Sequence, residues 1–570
     1  MVEEKKQFSW QSIVQYGIIC GSLILYISLV GILEAFQVRD VVDQLLPLGQ
    51  AMLIVIALSM GYVAARLAAG DMVKTFGGSA IVGIVGGIIT ALFVNRIEPW
   101  EIRNMFVNAS PALVEVLTFG QESQATGLMM LITALTIVCI LGAVLFIIPP
   151  LPRRMILAGL TAVLFMGMLQ DFLTRIDPIE AIANILYSRK GLSPVGAMLV
   201  FILFSGLNGF WATQGDTVQN RLNTLPPPQK RGLNIGAFIA GLLLLIAIPH
   251  MTDNYITQIL FMVCLYIAMG LGLNIELGWA GLLDLGFSGF FAIGAYTVAV
   301  VCSTGELGLS YMITGEIGAS YSFWFALPIA VVISAIAGVV LGIPVLRTRG
   351  DYLAIITLGL AEIIRILVKS NALKELLGGA QGVLNIAKPT VGEAVLKDPM
   401  HFYYLALIAC FIIGFLAIRL QHARIGRNWM ALREDEDVAE AMGINLIATK
   451  LLAFGIGASF AGLSGAIFAA QLGSVFPDSF GLLVSINAVS LVIIGGVGSI
   501  PGVVIGALVL VGLPELLREF SEFRLLLYGM LLVVMMLVKP EGFWPSETAR
   551  RELEGPEISD ITESKAGTGA

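Results

Sequence analysis

The sequence predicts an all-α polytopic membrane protein with about 16 transmembrane helices. The chain has 570 residues, of which 57% are hydrophobic and only 13% are charged. Apolar runs of roughly 20 residues, the length a helix needs to cross a bilayer, recur along the chain. One long polar segment, residues 421–450, stands between two such runs. Most of the chain is therefore predicted to lie in a membrane.

The first region, residues 1–231, is predicted to be an N-terminal hydrophobic extension of about six spans. Gly83 and Gly87 within it are spaced for close contact between helices, which favours packing over function. Three consecutive prolines at 226–228 cannot continue a helix, so they mark the predicted domain boundary. The predicted spans lie near residues 12–36, 46–67, 77–94, 125–149, 155–173 and 193–211.

The second region, residues 232–545, is predicted to hold about ten further spans. The polar tail that follows, 546–570, is predicted to be disordered. The predicted spans lie near residues 233–250, 255–277, 283–302, 323–346, 352–368, 402–420, 451–470, 484–497, 502–517 and 525–538.

Positive charges in the short loops predict that both ends of the chain are cytoplasmic. Cytoplasmic loops of membrane proteins carry an excess of lysine and arginine. An even number of spans also places the two ends on the same side. The predicted cytoplasmic loops hold Arg66, Lys74, Arg153 and Arg154, whereas the opposite loops hold Arg96, Arg103 and Arg189.

The polar segment, residues 421–450, has the pattern of an amphipathic helix. Apolar residues recur at Trp429, Leu432, Val438 and Met442, with charged residues between them. Gly443 is the residue type expected just past a helix end. Such a helix could lie on lipid, connect two spans or dock into a partner. Its acidic middle disfavours lipid, because lipid-binding helices are rich in lysine and arginine.

Several absences limit the function. No Gly-Lys dipeptide occurs, so the chain has no Walker A loop and is predicted not to be an enzyme or to bind a nucleotide itself. Three histidines and five cysteines show no metal-ligand spacing, and no basic stripe suits nucleic acid. No metal site or cofactor is therefore expected on this chain. Nor do the spans show the several buried carboxylates that proton-coupled carriers often use.

Five residues in the second region are candidates for lining a translocation path. Glu362 and Arg365 are three residues apart, with Glu362 near the middle of a predicted span, where ionisable side chains face a cavity or pair with a neighbour. The other interpretation is a buried structural pair. Glycines in NIELGWAGLLDLGFSGFFAIGAY permit close backbone approach and equally suit packing alone. The candidates are Gly278, Gly281, Gly294, Glu362 and Arg365.

Five sequence blocks between 255 and 544 resemble the LivM family, the branched-chain amino acid permease subunits of ABC importers. The resemblance implies that the polar segment is a cytoplasmic coupling segment, matching the family's "EAA" loop. The extension 1–231 departs from the family, whose usual permease subunit lacks such a region. The blocks are NIELGWAGLLDLGFSGFFAIGAY, RTRGDYLAIITLGLAEIIR, GRNWMALREDEDVAEAMGINLIATK, IIGGVGSIPGVVIGA and KPEGFW.

The resemblance also implies partners and a location. It implies a second permease of the LivH type, ATPase subunits of the LivG and LivF type that bind ATP and Mg²⁺, and an extracytoplasmic substrate-binding protein. The substrate would be a small amino acid, and the location a bacterial or archaeal plasma (inner) membrane. Apolar anchors and charges would dock the coupling segment on the ATPases. The predicted coupling residues are Arg427, Leu432, Arg433, Asp435, Glu436, Val438, Ala439, Glu440, Met442, Gly443 and Lys450.

Two other functions stay open at this stage. Related permeases handle urea or short amides, and a gradient-driven secondary carrier or channel would also be a polytopic membrane protein. ATPase and binding-protein genes beside this gene would favour the importer.

Overall fold

A computed structural model describes residues 9–68, 71–97, 99–121, 123–174, 180–223, 227–345, 351–516 and 523–546. The chain divides into two compact units, Met1–Leu243 (unit 1) and Leu244–Ala570 (unit 2). This division and the boundary predicted at 231/232 both fall within one helix, Pro227–Met251. The predicted disordered tail, apart from Ser546, lies outside the described residues.

The described part of unit 1 consists of helices joined by turns and loops, with a short hairpin in which β1 and β2 pair antiparallel. One helix is described up to Asn223 and the next from Pro227; residues 224–226, where the proline run begins, lie outside the described residues. The elements of unit 1 are α1 (Trp10–Val30), α2 (Ile32–Ala35), β1 (Asp40–Val42), β2 (Leu46–Pro47), α3 (Leu48–Leu67), α4 (Met72–Ile97), α5 (Pro111–Leu117), α6 (Gln124–Ile147), α7 (Pro150–Met168), α8 (Gln170–Leu173), α9 (Glu180–Leu186), α10 (Pro194–Asn223) and α11 (Pro227–Met251).

Two helix groups make up unit 1. Helices α1, α3, α4 and α6 pack as a bundle, and α7 packs on α10. Small residues bring the bundle helices together: a Cβ added to Gly83 would lie 2.5 Å from the Thr136 Cα. A Cβ added to Gly87 would lie 2.9 Å from the Ile132 Cα. Their predicted packing role is confirmed.

Unit 2 holds the remaining helices and a second short hairpin. A π-helical turn, Asn274–Trp279, extends its first full helix, and another, Leu508–Gly512, follows α23. The elements are α12 (Asn254–Leu273), α13 (Phe287–Cys302), α14 (Leu309–Thr314), α15 (Phe323–Val345), α16 (Asp351–Lys369), α17 (Lys374–Leu377), β3 (Thr390–Val391), β4 (Ala394–Val395), α18 (Pro399–His422), α19 (Arg424–Glu434), α20 (Glu436–Ala441), α21 (Leu446–Leu472), α22 (Leu482–Gly495), α23 (Ile500–Ala507), α24 (Leu513–Leu516) and α25 (Arg524–Val538).

Helix α21 is the centre of unit 2 and packs against α12, α13, α15 and α18. Glycines make these contacts possible. A Cβ on Gly294 would lie 2.1 Å from the Gly462 carbonyl oxygen, and one on Gly465 would lie 2.0 Å from that of Phe291. The helix is continuous with the end of the polar segment, so movement of that segment reaches the core directly.

The prediction of an all-α polytopic membrane protein is confirmed. Eleven helices among the described residues are long and apolar enough to cross a membrane, and three shorter apolar helices accompany them. The count of about 16 spans stays a prediction. Helix α16 differs from the other predicted spans because Glu362, Arg365 and Lys369, spaced i, i+3, i+7, lie along one face of it.

Candidate functional site

The polar segment folds as two helices, α19 and α20, with a break at Asp435. The single continuous helix predicted from its periodicity is therefore wrong at this point. Asp435 has extended backbone, and its carboxylate accepts hydrogen bonds from the main-chain N–H groups of Asp437 and Val438. A side chain that caps a new helix in this way stops the preceding one.

The inner face of the polar segment is buried against unit 2. Trp429 and Leu432 are 0% and 2% exposed, and Ala439 is 2% exposed. The Trp429 ring stacks on that of Trp279, with centroids 6.3 Å apart, and its Nε1 donates to the Thr449 carbonyl oxygen at 2.9 Å. Leu432, predicted to be a docking anchor, thus belongs to the core of the chain.

Arg433 connects the polar segment to the π-helical turn. Its Nη1 donates to the Gly278 carbonyl oxygen at 2.6 Å. Gly281, with φ +71°, packs against the aliphatic part of the Arg433 side chain. An added Cβ there would be 3.0 Å from the Arg433 Cγ. Two predicted path residues, Gly278 and Gly281, therefore lie beside the polar segment.

The Gly498 loop completes this junction. Gly498 N donates to Asn274 Oδ1 at 2.8 Å, and the Gly498 carbonyl oxygen accepts from Trp279 Nε1 at 3.1 Å. The main-chain N–H of Trp544, from the final KPEGFW block, donates to the Gly495 carbonyl oxygen at 2.9 Å. Four of the five blocks identified in the sequence thus meet at one place, which we call the inner junction.

Glu436 and Lys450 form an ion pair between α20 and α21. Their side chains are 2.7 Å apart, and only 23% of Glu436 and 6% of Lys450 is exposed. A lysine this enclosed is stable only with a partner for its charge. The pair therefore fixes α20 on the helix that runs through the centre of unit 2.

Gly443 ends α20 as predicted. It has φ +86°, a conformation that a side chain strains. Ile444 N donates to the Ala439 carbonyl oxygen at 3.1 Å and Gly443 N to that of Glu440 at 2.9 Å, the pattern of a Schellman cap. The cap turns the chain sharply into α21, which begins three residues later.

The outer face of the polar segment is exposed. Val438 is 59% exposed and Met442 is 79% exposed, and Asp437 and Glu440 are exposed beside them. A cleft of about 400 Å³ opens at the inner junction, where Gly278, Glu434 and Gly498 are among the residues that line it. Arg427, which donates to the His422 carbonyl oxygen at 3.0 Å, lines the cleft together with Arg433. Exposed apolar side chains ringed by charges are typical of a docking surface.

Two enclosed carboxyl groups lie just inside the junction, contrary to the expectation from the sequence. Glu276 and Asp284 are both 0% exposed, and their carboxyl groups are near enough to interact electrostatically. Asp284 Oδ1 accepts from Gly286 N at 2.6 Å. Among the described residues no donor reaches either oxygen of Glu276. Room for Glu276 comes from Gly457 of α21, where an added Cβ would lie 2.0 Å from Oε1.

Sequence reasoning missed this pair because Glu276 and Asp284 flank an irregular turn. In a regular helix, residues eight apart lie more than two turns apart along the axis. The π-helical turn and the loop after it fold the chain back instead. The one available signal was the pair of acids in an otherwise apolar, glycine-rich block.

The remaining path candidates lie elsewhere in unit 2. Gly294 packs on α21, as described above. Glu362 and Arg365 form the predicted pair, with Arg365 Nε 3.0 Å from both Glu362 oxygens, but their side chains are 44% and 28% exposed rather than buried. Whether these residues line a path stays a prediction. Among the described residues no group of three or more His, Cys, Asp or Glu could hold a metal ion.

Comparisons with known proteins identify the family. Residues 255–538 match the family model described as "Branched-chain amino acid transport system / permease component". The chain is 39% identical over 339 residues to the LivM permease protein of Escherichia coli, covering 55% of this chain and 76% of that protein. The chain belongs to the LivM-type family of branched-chain amino acid permeases. The permease is therefore a membrane protein with several spans.

The chain is also similar to a second LivM protein and to a LivH protein. The permease is 23% identical over 335 residues to a probable LivM protein of Methanocaldococcus jannaschii, covering 52% of this chain and 95% of that one. It is 34% identical over 140 residues to LivH of E. coli, covering 23% of this chain and 45% of LivH. No solved structure matches the permease significantly. The family match begins at residue 255, so it covers unit 2 and leaves unit 1 outside.

Proposed function

We propose that this permease is the transmembrane subunit of a binding-protein-dependent importer for branched-chain amino acids, driven by ATP that separate subunits hydrolyse. The observation that carries the proposal is the two-sided construction of the polar segment. One side is fixed to the inner junction, and the other presents Val438 and Met442 to solvent. A segment built in this way can receive a partner and pass its movement inward.

The charge of the outer face indicates what the partner must offer. Asp435, Asp437 and Glu440 surround the two exposed apolar residues. A complementary groove would therefore be apolar at its centre and basic at its rim. We assign this groove to ATPase subunits of the LivG and LivF type, which would bind ATP and Mg²⁺ on the cytoplasmic side.

Transmission would follow from the geometry. Closure of the ATPase dimer would displace α20, and the ion pair of Glu436 with Lys450 would carry that displacement to α21. Because α21 has 27 residues, it extends about 40 Å, enough to cross the bilayer. Rigid-body tilting of such a helix gives alternating access to the two sides.

The other partners follow from the relatives. LivH relatives support a second permease of that type beside this chain. A substrate-binding protein would deliver the amino acid on the extracytoplasmic side, and both ends of the chain would be cytoplasmic. Permeases of this type for urea or short amides, and a gradient-driven carrier, are the alternatives that the experiment below also tests.

The test replaces the two exposed apolar residues by charge. Val438→Glu with Met442→Glu should reduce co-purification of the ATPase subunits at least tenfold, because burying a charge at the centre of an interface costs more than about 1.4 kcal/mol. The control is Leu384→Glu, which alters an exposed apolar residue in the loop between α17 and α18. Glu436→Lys is unsuitable, since it would break the internal pair with Lys450.

The outcomes are distinct. Equal membrane levels of both variants, with ATPase lost only from the double variant and leucine uptake abolished with it, support the importer. ATPase binding and uptake at wild-type levels in the double variant contradict it. Uptake of leucine by the purified permease alone would support the gradient-driven carrier, and ATP-dependent uptake of urea without leucine would support the amide permease.

A further inference from the structure

A second group of ionisable side chains lies at the other end of unit 2. It consists of Glu362, Arg365 and Lys369 on α16 and Asp478 in the turn after α21, and we call it the charged stripe. Helix α21 begins beside the polar segment and ends at Leu472. A helix of that length spans a bilayer, so Asp478 lies on the opposite side of the membrane from the inner junction.

The stripe is held together by ion pairs that cross between two elements. Arg365 donates to Glu362 on its own helix and, through Nη1, to Asp478 Oδ1 at 3.2 Å. Lys369 Nζ also contacts Asp478. Two positive and two negative groups thus share one surface, and their charges sum to zero.

The stripe is too exposed to be a buried structural network. The exposed fractions of its side chains are 28% for Arg365, 34% for Lys369, 44% for Glu362 and 74% for Asp478. Charged groups within membrane segments do not face hydrocarbon; they face a partner, a water-filled cavity or a path. The ion pairs within the stripe cover part of each charged group, and the rest of each group stays accessible to solvent.

An aromatic cluster lies directly beside the stripe. Phe480, two residues after Asp478, has its ring centroid 5.5 Å from that of Phe291 and 5.8 Å from that of Tyr296. Phe468 of α21 packs on the same rings, 5.3 Å from Phe291. Phe480 and Phe291 are only 4% and 7% exposed, so these rings form a buried apolar layer beneath the charged surface. Such an arrangement suits a small molecule that has both charged and apolar parts.

The Tyr296 hydroxyl gives independent evidence for a ligand. Tyr296 is only 5% exposed, and no described residue forms a hydrogen bond with its hydroxyl group. Its ring centroid lies 5.8 Å from that of Phe480, two residues after Asp478. A buried hydroxyl without a partner is unfavourable, so its place beside a charged, accessible surface indicates that a bound molecule supplies the missing partner.

We propose that the charged stripe and the Tyr296 hydroxyl form the outer binding site for a zwitterionic amino acid. The α-carboxylate would lie at Arg365 and Lys369, the α-ammonium group at Glu362 and Asp478, and the apolar side chain toward the aromatic cluster. Tyr296 would donate its hydroxyl hydrogen to the carboxylate. The site deepens the proposed importer function and rests on it.

The balance of charge favours a zwitterion over a simple anion or cation. A lone anion would satisfy Arg365 and Lys369 but would leave Glu362 and Asp478 facing it with like charge. A zwitterion exchanges each internal ion pair for an equivalent pair with the substrate. The exchange is feasible because all four side chains already reach solvent.

The test uses the full importer, reconstituted in liposomes with its ATPase subunits and leucine-loaded binding protein. The measured quantity is the amount of radiolabelled leucine imported per ATP hydrolysed. Tyr296→Phe and Arg365→Gln should each lower this ratio about tenfold, because each removes a hydrogen bond to a charged group of the substrate. Lys374→Gln, which removes an exposed positive charge from the next short helix, should leave the ratio unchanged.

Tyr296→Phe separates the site from a structural role. Removing a hydroxyl that has no partner does not weaken the fold, so a loss of coupling in this variant supports the site. An unchanged ratio in Tyr296→Phe overturns the proposal, even if Arg365→Gln fails, because the stripe would then be a brace between α16 and the turn at Asp478. A wild-type complex that binds ATPase but imports no leucine contradicts the importer itself, and the site with it.

Discussion

Units 1 and 2 are built from the same kind of apolar helix, yet they enclose different polar groups. The buried polar residues described in unit 1 carry hydroxyl groups, and each donates to a main-chain carbonyl. Unit 2 encloses Asn274, Glu276, Asp284 and Lys450 as well. The hydroxyl residues of unit 1 are Ser28, Thr75, Ser79, Thr90, Thr118 and Ser205.

The difference indicates which part of the chain is functional. A hydroxyl bonded to a neighbouring carbonyl is inexpensive inside a membrane, whereas enclosed ionisable groups are costly and mark functional regions. The family match covers residues 255–538, within unit 2. We therefore expect substitutions at polar sites to affect transport in unit 2 and only stability in unit 1.

The largest expected effect is at the enclosed carboxyl pair. Gly457→Ala would place a Cβ 2.0 Å from Glu276 Oε1, and we expect it to cost about 3 kcal/mol and to lower the thermal unfolding temperature of the purified permease. Gly414→Ala is the control, because no other atom lies within 4 Å of its added Cβ. Adding Glu276→Ala to Gly457→Ala should recover much of the loss. No recovery would show that the carboxyl group is not the obstacle.

An intermediate effect is expected from Lys450→Met in unit 2, and a much smaller one from Lys74→Met in unit 1. Lys450→Met removes the ammonium group 2.7 Å from Glu436 in an enclosed site and should cost about 2 kcal/mol. Lys74→Met removes the partner of Asp71 in unit 1, where the two side chains are 48% and 45% exposed, and should leave the free energy of unfolding almost unchanged. Chemical unfolding in detergent measures both. Equal costs would remove the distinction between the units.

A small effect, between those of the two lysine variants, is expected from Ser79→Ala in unit 1. The variant removes a hydrogen bond of 2.9 Å to the Gly61 carbonyl oxygen and should cost about 1 kcal/mol. Leucine uptake, normalised to the amount of permease in the membrane, should not change. A lower uptake per molecule would show that unit 1 takes part in transport and would contradict the distinction between the two units.

Local features of the fold could be predicted from the sequence. Each predicted span overlaps a helix, because apolar runs and prolines act within a few residues of themselves. The Gly443 cap was predictable for the same reason. The helix break at Asp435 was missed, since an aspartate within an acidic run gives no sign that it caps a new helix.

Features of the candidate site depended on distant contacts. Periodicity placed Leu432, Val438 and Met442 on one face, but the break at Asp435 buries Leu432 and exposes the other two. The bond from Arg433 to Gly278 joins residues 155 positions apart. No pattern within either block indicates the other, so only the folded chain could reveal the inner junction.

The central claim, that the polar segment receives the ATPase subunits, can be tested by one cross-linking measurement. Met442→Cys would place an accessible thiol on that segment, since Met442 is 79% exposed, and Leu384→Cys would place one in the loop between α17 and α18. In membranes containing the whole importer, a thiol-to-amine cross-linker should join the permease to an ATPase subunit from position 442 and not from position 384. An adduct from 384 alone, or none from 442, would contradict the account.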